Sequence, residues 1–527
     1  MLNPKAELPL FVFASLSLFL ATSLFAEEIE LTILHTNDIH QNLTPLPRLA
    51  GYVAEYRSKQ PNTLFVDAGD WFDRGSSLVT LTQGDALYGA MAGMGYDAWV
   101  VGNHDWAYGG NRLIDLIATY PVPVLATNLA STRPSLPENI VSSVVKEFDG
   151  IRVGLFGITL DTYGKSAKSR PDLYVLDCRE SAAKAVADLK EQGVDLIVAV
   201  THLGFEKMSH EKGRSFHPSD QDLVRENPDI DVVIGGHSHQ LLKEEVVRKV
   251  HAETGAIITQ AGASARYVGR LTMRVDSVSR TITNFELETV AVTDELPEHP
   301  QTAEFIKRLY AQHMPDAKVV VGEFRLPMPL HTLGAWYADF IRRKADADIC
   351  LLPRKTLYDE RSSFEAGQLD VEKLMGYLYD RHVVTATVKG VDLLEYCDSD
   401  DMRDRFNPFH HQGRPFSGDG VYFAGFDAGF ESATKQVKFD IDPEQSYTLA
   451  LPWPYRRFKG RLPSRQEAEK AEPIPDLEMS NIRILPETTQ KLLIEDGVKN
   501  GLNFYSQSPR AESDWDAWTR HFESMIK

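Results

Sequence analysis

Five short apolar runs in this chain each stop in a small cluster of Asp, Asn or His. Leu31 to Leu34 runs into His35 and then Asp38-Ile39-His40, Leu64 to Val66 into Asp67 and Gly69-Asp70, and Trp99 to Val101 into Gly102-Asn103-His104-Asp105. Leu196 to Val200 runs into Thr201-His202, and Val232 to Ile234 into Gly235-Gly236-His237-Ser238-His239. Buried parallel strands read as unbroken aliphatic runs, and in α/β sheets functional side chains gather just beyond their carboxyl ends. The pattern therefore demands an α/β fold that brings distant donors to one edge. Carboxylate, amide and imidazole donors suit manganese, iron, cobalt, nickel or zinc and hold copper(I) poorly, and no Cys lies among them.

The set is large enough for two ions. Asp38 and His40 can turn toward one ion, Asp70 is the natural bridge, and Asn103, His202, His237 and His239 complete the shells. His210, His217 and His251 stand outside the blocks and read as surface or supporting residues.

Around these blocks strands alternate with helical patterns at Leu46 to Lys59, Gly84 to Gly93, Arg112 to Thr119 and Ser181 to Gln192. Ile257 to Gln260 and Gly269 to Val275 read as adjacent antiparallel strands, continued by Thr281 to Val290, that close a second sheet. Pro and charge crowd together over Glu295 to Pro300 before a helical stretch. The expected division is 1–26 leader, 27–294 catalytic domain, 295–316 linker helix, 317–500 C-terminal α+β domain and 501–527 helical extension, the last carrying Trp515, Trp518 and Phe522 at helical spacing.

With 527 residues the chain exceeds one comfortable hydrophobic core. A net charge of −19 argues against nucleic acid as partner, since phosphate-backbone binding needs a basic surface. Leu10 to Ala26 is an apolar stretch behind Lys5 that reads as a secretory signal, so the expectation is a secreted or periplasmic protein with no stable membrane anchor once the signal is cleaved. Cys178, Cys350 and Cys397 are too few for a disulfide framework; buried thiols are expected, and a Cys350–Cys397 bridge is the alternative.

His35-Thr36-Asn37-Asp38-Ile39-His40, Gly69-Asp70, Gly102-Asn103-His104-Asp105, Thr201-His202-Leu203-Gly204 and Gly235-Gly236-His237-Ser238-His239 occur in the order found in calcineurin-type metallophosphoesterases, and the chain resembles the secreted 5′-nucleotidase family. The resemblance implies a four-layer α/β/β/α domain followed by an α+β 5′-nucleotidase-type C-terminal domain. It implies two divalent ions (Mn, Zn, Fe or Co), one held by Asp38, His40, Asp70 and His239, the other by Asp70, Asn103, His202 and His237. The implied reaction is phosphomonoester hydrolysis by a metal-bridging hydroxide, with Asn103 and His104 in the catalytic set and a small nucleotide-like phosphoester as substrate. The family's pattern has an Asp three residues after the catalytic histidine; here that place is Ala107.

Gly367 to Asp370, Val383 to Leu394 and Tyr447 to Leu449 resemble the family's C-terminal domain, which supplies the substrate pocket. Its Gly-Gly-Asp-Gly-Tyr motif is replaced by Leu451-Pro452-Trp453-Pro454-Tyr455. Arg354 stands where a substrate arginine could sit, and Trp453, Tyr455, Tyr422 or Phe423 could stack on a ring, core packing being the other role open to them. The departures at Ala107 and in this motif keep two other readings open: a thiosulfohydrolase-like or other non-nucleotide esterase on the same scaffold, and a weakly active metal-bound binding protein.

Overall fold

A computed structural model describes residues 27–72, 76–160, 172–206, 217–353, 356–357, 363–398, 421–425, 428–431, 436–453 and 477–504. Two sheets form its first half. One has seven strands in the spatial order Ile282–Ala291, Tyr267–Asp276, Glu28–Thr36, Thr63–Asp67, Ala98–Val100, Val124–Leu125 and Ile140–Val141. The other has five, in the order Ile257–Thr259, Val232–Gly235, Leu196–His202, Ile151–Thr159 and Ser143–Phe148. The strands that end in Asp, Asn and His clusters are parallel to one another within each sheet, so all the clusters emerge at carboxyl ends.

Side-chain alternation sets the layers. Leu31, Ile33, Leu64, Val66, Ala98 and Val100 point from the first sheet into one apolar core shared with Leu155, Val198 and Ile234 of the second. Leu34, Phe65 and Trp99, on the opposite face, pack on the helices Leu46–Lys59, Asp85–Ala92 and Gly110–Thr119. The helices Cys178–Glu191 and Glu244–Thr254 cover the second sheet through Ala182, Leu189 and Val247. The result is the α/β/β/α order that the family resemblance implied.

The expected pairing of 257–260 with 269–275 is corrected. Ile257–Thr259 runs parallel to Val232–Gly235 in the second sheet, whereas Tyr267–Asp276 lies antiparallel between Glu28–Thr36 and Ile282–Ala291 in the first. The loop between them turns through left-handed conformations at Gly262, Ser264 and Ala265, which carries the chain across to the other sheet. Alternation along a strand reports which faces are buried but not which sheet the strand joins.

Helix Pro300–His313, with Pro at its first turn, packs on Leu46–Lys59 and Asp85–Ala92. Beyond it a five-stranded sheet runs Val421–Ala424, Ile349–Pro353, Ser446–Trp453, His382–Lys389 and Ser480–Thr488. Helix Leu330–Lys344 buries Leu333, Tyr337 and Phe340 in a core continuous with that of the first half through Ile306 and Leu309. Cys178, Cys350 and Cys397 are buried and not disulfide-bonded, so the Cys350–Cys397 bridge is absent. Among the described residues no helix is long and apolar enough to cross a membrane. The proposed signal at 1–26, and Trp515, Trp518 and Phe522, lie outside the described residues.

Candidate metal centre

The loops after Glu28–Thr36 and Thr63–Asp67 run side by side, joined by backbone hydrogen bonds from Asp38 N to Gly69 O (2.8 Å), His40 N to Asp70 O (3.0 Å) and Gln41 N to Trp71 O (2.8 Å). This fixes Asp38 and His40 in register with Asp70. Behind them Trp71 stacks on Trp99 at 4.0 Å and donates its Nε1–H to Asp67 at 2.7 Å. A fully buried Trp contributes roughly 2–3 kcal/mol through its apolar area, so the residue next to Asp70 is locked in the core.

Two clusters of donors result. Asp38, His40 and His239 form one: His40 Nε2 and His239 Nε2 are 2.9 Å apart, and they lie 3.7 and 3.3 Å from Asp38 Oδ1. Asp70, His202 and His237 form the other, with His202 Nε2 3.1 Å from Asp70 Oδ2 and the His202 and His237 rings edge to face at 5.2 Å. The clusters adjoin at Gly236, where a Cβ would lie 2.9 Å from His202 Nδ1 and 3.3 Å from Asp38 Oδ2, so no larger residue fits between them.

Five of these residues adopt the left-handed conformation that non-glycine residues rarely take: Asp38 (φ 54°), His40 (49°), Asp70 (60°), His237 (75°) and His239 (55°). Each costs on the order of 1–3 kcal/mol, and such strain concentrates where function requires an aimed side chain. Imidazole orientation is fixed from behind: the His40 Nδ1–H donates to Phe72 O at 3.0 Å and the His202 Nδ1–H to Ala68 O at 2.6 Å, which turns each Nε2 inward. His202 Nε2 is buried against the Asp70 carboxylate, and Asn103 Oδ1 is buried and makes no hydrogen bond.

The electrostatics point the same way. Burial raises the Asp38 carboxyl, but the hydrogen bond from His239 and the charge of His202 outweigh it and hold it below its ordinary value. For Asp70, burial is likewise outweighed by His202 and His104, leaving it far below the carboxylate range. Burial lowers His202, yet Asp70 and Asp38 push it up to about 10. Carboxylates that draw positive charge onto a buried imidazole this strongly equally favour a divalent cation, which would take the place of that proton on Nε2. Oxygen and nitrogen donors, ring Nε2 atoms turned inward and the unpaired buried Asn103 Oδ1 fit a pair of divalent ions.

Residues 31–241 match the calcineurin-like phosphoesterase family. They constitute a calcineurin-like phosphoesterase domain. The mouse (Mus musculus) 5′-nucleotidase is 29% identical over 314 residues, which cover 53% of this chain and 52% of the mouse protein. A solved 5′-nucleotidase precursor from Thermus thermophilus superposes on 90% of this chain and 97% of its own with a TM-score of 0.57 at 21% identity. The sulfate thiohydrolase SoxB of Thermus thermophilus covers 89% and 94% with a TM-score of 0.54 at 15% identity. Both solved structures share the fold of the phosphoesterase domain and of the region after it. The chain spans about half or less of the length of the curated relatives it matches.

Within the phosphoesterase domain His104 is held near the second cluster. Its backbone N–H donates to Asp70 Oδ1 at 2.7 Å, its Nε2 lies 4.0 Å from Asp70 Oδ2, and its ring meets that of His40 at 5.4 Å. Ala107 packs against the apolar core. Trp453 closes the strand Ser446–Trp453 opposite His382 and, like Phe423, is partly buried against the C-terminal core, whereas Tyr422 is buried against helix Leu330–Lys344. Arg354 and Tyr455 lie outside the described residues.

Two supports escaped sequence reasoning. Asp105 accepts four backbone N–H groups, from Asp70 (3.0 Å), Trp71 (2.8 Å), Phe72 (3.2 Å) and Gly102 (2.7 Å), and so organises the turn carrying Asp70. Asn37 donates to Asp38 Oδ2 (2.7 Å) and Gly262 O (2.6 Å) and accepts from Ala261 N (2.8 Å), fastening Asp38 to the cross-sheet loop. The signal for both was adjacency to a ligand, a weak one because neighbours on a turn commonly diverge.

Proposed function

We propose that the chain is an exported, two-metal phosphoester hydrolase acting on a nucleotide-like phosphomonoester. The observation that carries this reading is the meeting of the Asp38–His40–His239 and Asp70–His202–His237 clusters across Gly236 within a calcineurin-like phosphoesterase domain. Asp38, His40 and His239 would hold one ion, His202, His237 and Asn103 the other, and Asp70 would be shared. Bound there, the ions supply Lewis acidity, activating water near neutral pH and neutralising charge that develops on a phosphoryl group.

The chain's own residues do the rest. His104, tied by its backbone to Asp70, can donate a proton to a phosphoryl or leaving-group oxygen at the pocket mouth. Its ring lies beside Asp70 and His40, and the place of the family's downstream carboxylate is Ala107. The loop backbone, braced by Asp105, keeps the donors aimed without rearrangement during the reaction. Support for the nucleotide class is the named activity of the mouse relative; support for export is the apolar stretch Leu10 to Ala26.

Ala107 favours one second reading, hydrolysis of a sulfur-linked ester on the same scaffold. A substrate panel on manganese- or cobalt-loaded protein separates the two. Phosphate release from AMP-type substrates supports the first, and turnover confined to thiosulfonate esters supports the second.

A further inference from the structure

Beneath the loops that carry His202 and His237 lies a carboxylate that the chemistry above does not use. Asp220 opens the helix Asp220–Glu226, set there by the reciprocal capping of Ser219 and Asp222, and is fully buried. Its Oδ1 accepts from Thr201 Oγ1 at 2.6 Å and its Oδ2 from Gln260 Nε2 at 3.2 Å. The same Gln260 nitrogen donates to Gly236 O at 3.2 Å, and Gln260 Oε1 accepts from Ser238 Oγ at 2.8 Å. The Asp220 backbone N–H donates to Gly204 O at 2.9 Å. A Cβ on Gly235 would lie 2.4 Å from Asp220 Oδ2, so the carboxylate rests directly against the backbone there.

Thr201 immediately precedes His202, and Gly235-Gly236 immediately precede His237. One buried group therefore grips both strand ends from which two donors of a single cluster project. Burying a carboxylate is costly to a fold even when it is hydrogen-bonded, and what this one provides is a fixed separation between two loops.

We propose that Asp220 is a positioning residue that sets the spacing of His202 and His237, and through it the affinity of the Asp70–His202–His237 cluster for its divalent ion. The proposal rests on the metal-centre reading. Because Asp220 touches neither donor ring in its hydrogen bonds, it acts through Thr201 and Gln260, and supports of this kind typically alter metal affinity by about 10–100-fold.

The test is Mn²⁺ titration by calorimetry, with elemental analysis, on the full chain. Wild type is expected to bind two ions. Thr201→Val, which removes only the hydroxyl, and Asp220→Asn, which presents an amide to the Gln260 amide, are expected to weaken one ion by 10-fold or more and leave the other within about threefold. Thr201→Ser restores the hydroxyl and is expected to restore wild-type binding. On a His239→Ala background, which keeps the Asp70–His202–His237 cluster intact, Thr201→Val is expected to weaken the remaining ion. Should Asp220→Asn fail to fold, Thr201→Val still decides. Two ions bound with unchanged affinity by folded Thr201→Val overturn the proposal alone, whereas a wild-type chain that binds no ion overturns the metal-centre reading beneath it.

Discussion

His237 donates its backbone N–H to the Asp38 carboxylate, 3.0 Å from Oδ2 and 3.3 Å from Oδ1, so a residue of one cluster is fastened to a donor of the other. Asp38 follows a strand of the seven-stranded sheet and His237 a strand of the five-stranded sheet. The contact closes the carboxyl edges of the two sheets on one another. Asp38→Ala is therefore expected to disturb both clusters: the ion at His40 and His239 is lost, and the affinity of the second falls about 10-fold as His237 loosens. Calorimetric titration of the variant with Mn²⁺ checks this, and an unperturbed second ion would count against the coupling.

Asp105 is expected to matter without touching an ion. Asn in its place keeps one acceptor oxygen and leaves two of the four backbone N–H groups of the Asp70 turn unpaired, at ~1–2 kcal/mol each. Asp105→Asn should lose about 2–4 kcal/mol of stability by denaturant unfolding and bind metal more weakly. A variant as stable as wild type would remove Asp105 from this role.

Replacing His104 by Ala separates chemistry from metal binding, because its side chain belongs to neither cluster. Turnover of a phosphomonoester should fall by about 10²–10⁴-fold, the range expected for loss of a general acid, while elemental analysis still returns two ions. Equal turnover in the two proteins would exclude His104 from the mechanism.

The positions at which the chain ends its strands were legible because apolar runs that stop in Asp, Asn or His have few other uses. Leu46–Lys59 and Cys178–Glu191 were legible too, their apolar faces repeating at helical spacing. The left-handed backbone at Asp38, His40, Asp70, His237 and His239 was not, since Asp and His enter that region more often than most residues but still seldom, and the packed loops decide where they do. Asp105 acts through backbone groups, which carry no residue identity to read, and Asn37 ties Asp38 to the backbone of a loop 225 residues away in sequence. The partner of Gly269 to Val275 was misjudged because the strand exchanges sheets through the 260–266 loop.

Asp231 accepts the Ile197 N–H at 2.7 Å, and burial pushes its carboxyl from the ordinary 3.8 up to about 6. Between those values the native chain holds a proton that the unfolded chain has released, so native stability falls as pH rises. The contribution is complete below about pH 4 and gone once pH passes about 6. Asp231→Asn keeps an acceptor for Ile197 N without the ionisation, so the variant should gain roughly 2 kcal/mol on wild type as pH rises across that window. Parallel unfolding curves at every pH between 4 and 6 would contradict this.

The proposed hydrolase depends on two cations held by Asp38, His40, Asp70, Asn103, His202, His237 and His239. The most direct test strips the purified protein with a chelator, restores Mn²⁺ in measured steps, and follows phosphate release from AMP against ions bound per chain. Turnover should be absent in the stripped protein and reach its plateau at two ions per chain. Undiminished phosphate release after stripping, or a reloaded chain that binds no ion, would contradict the account.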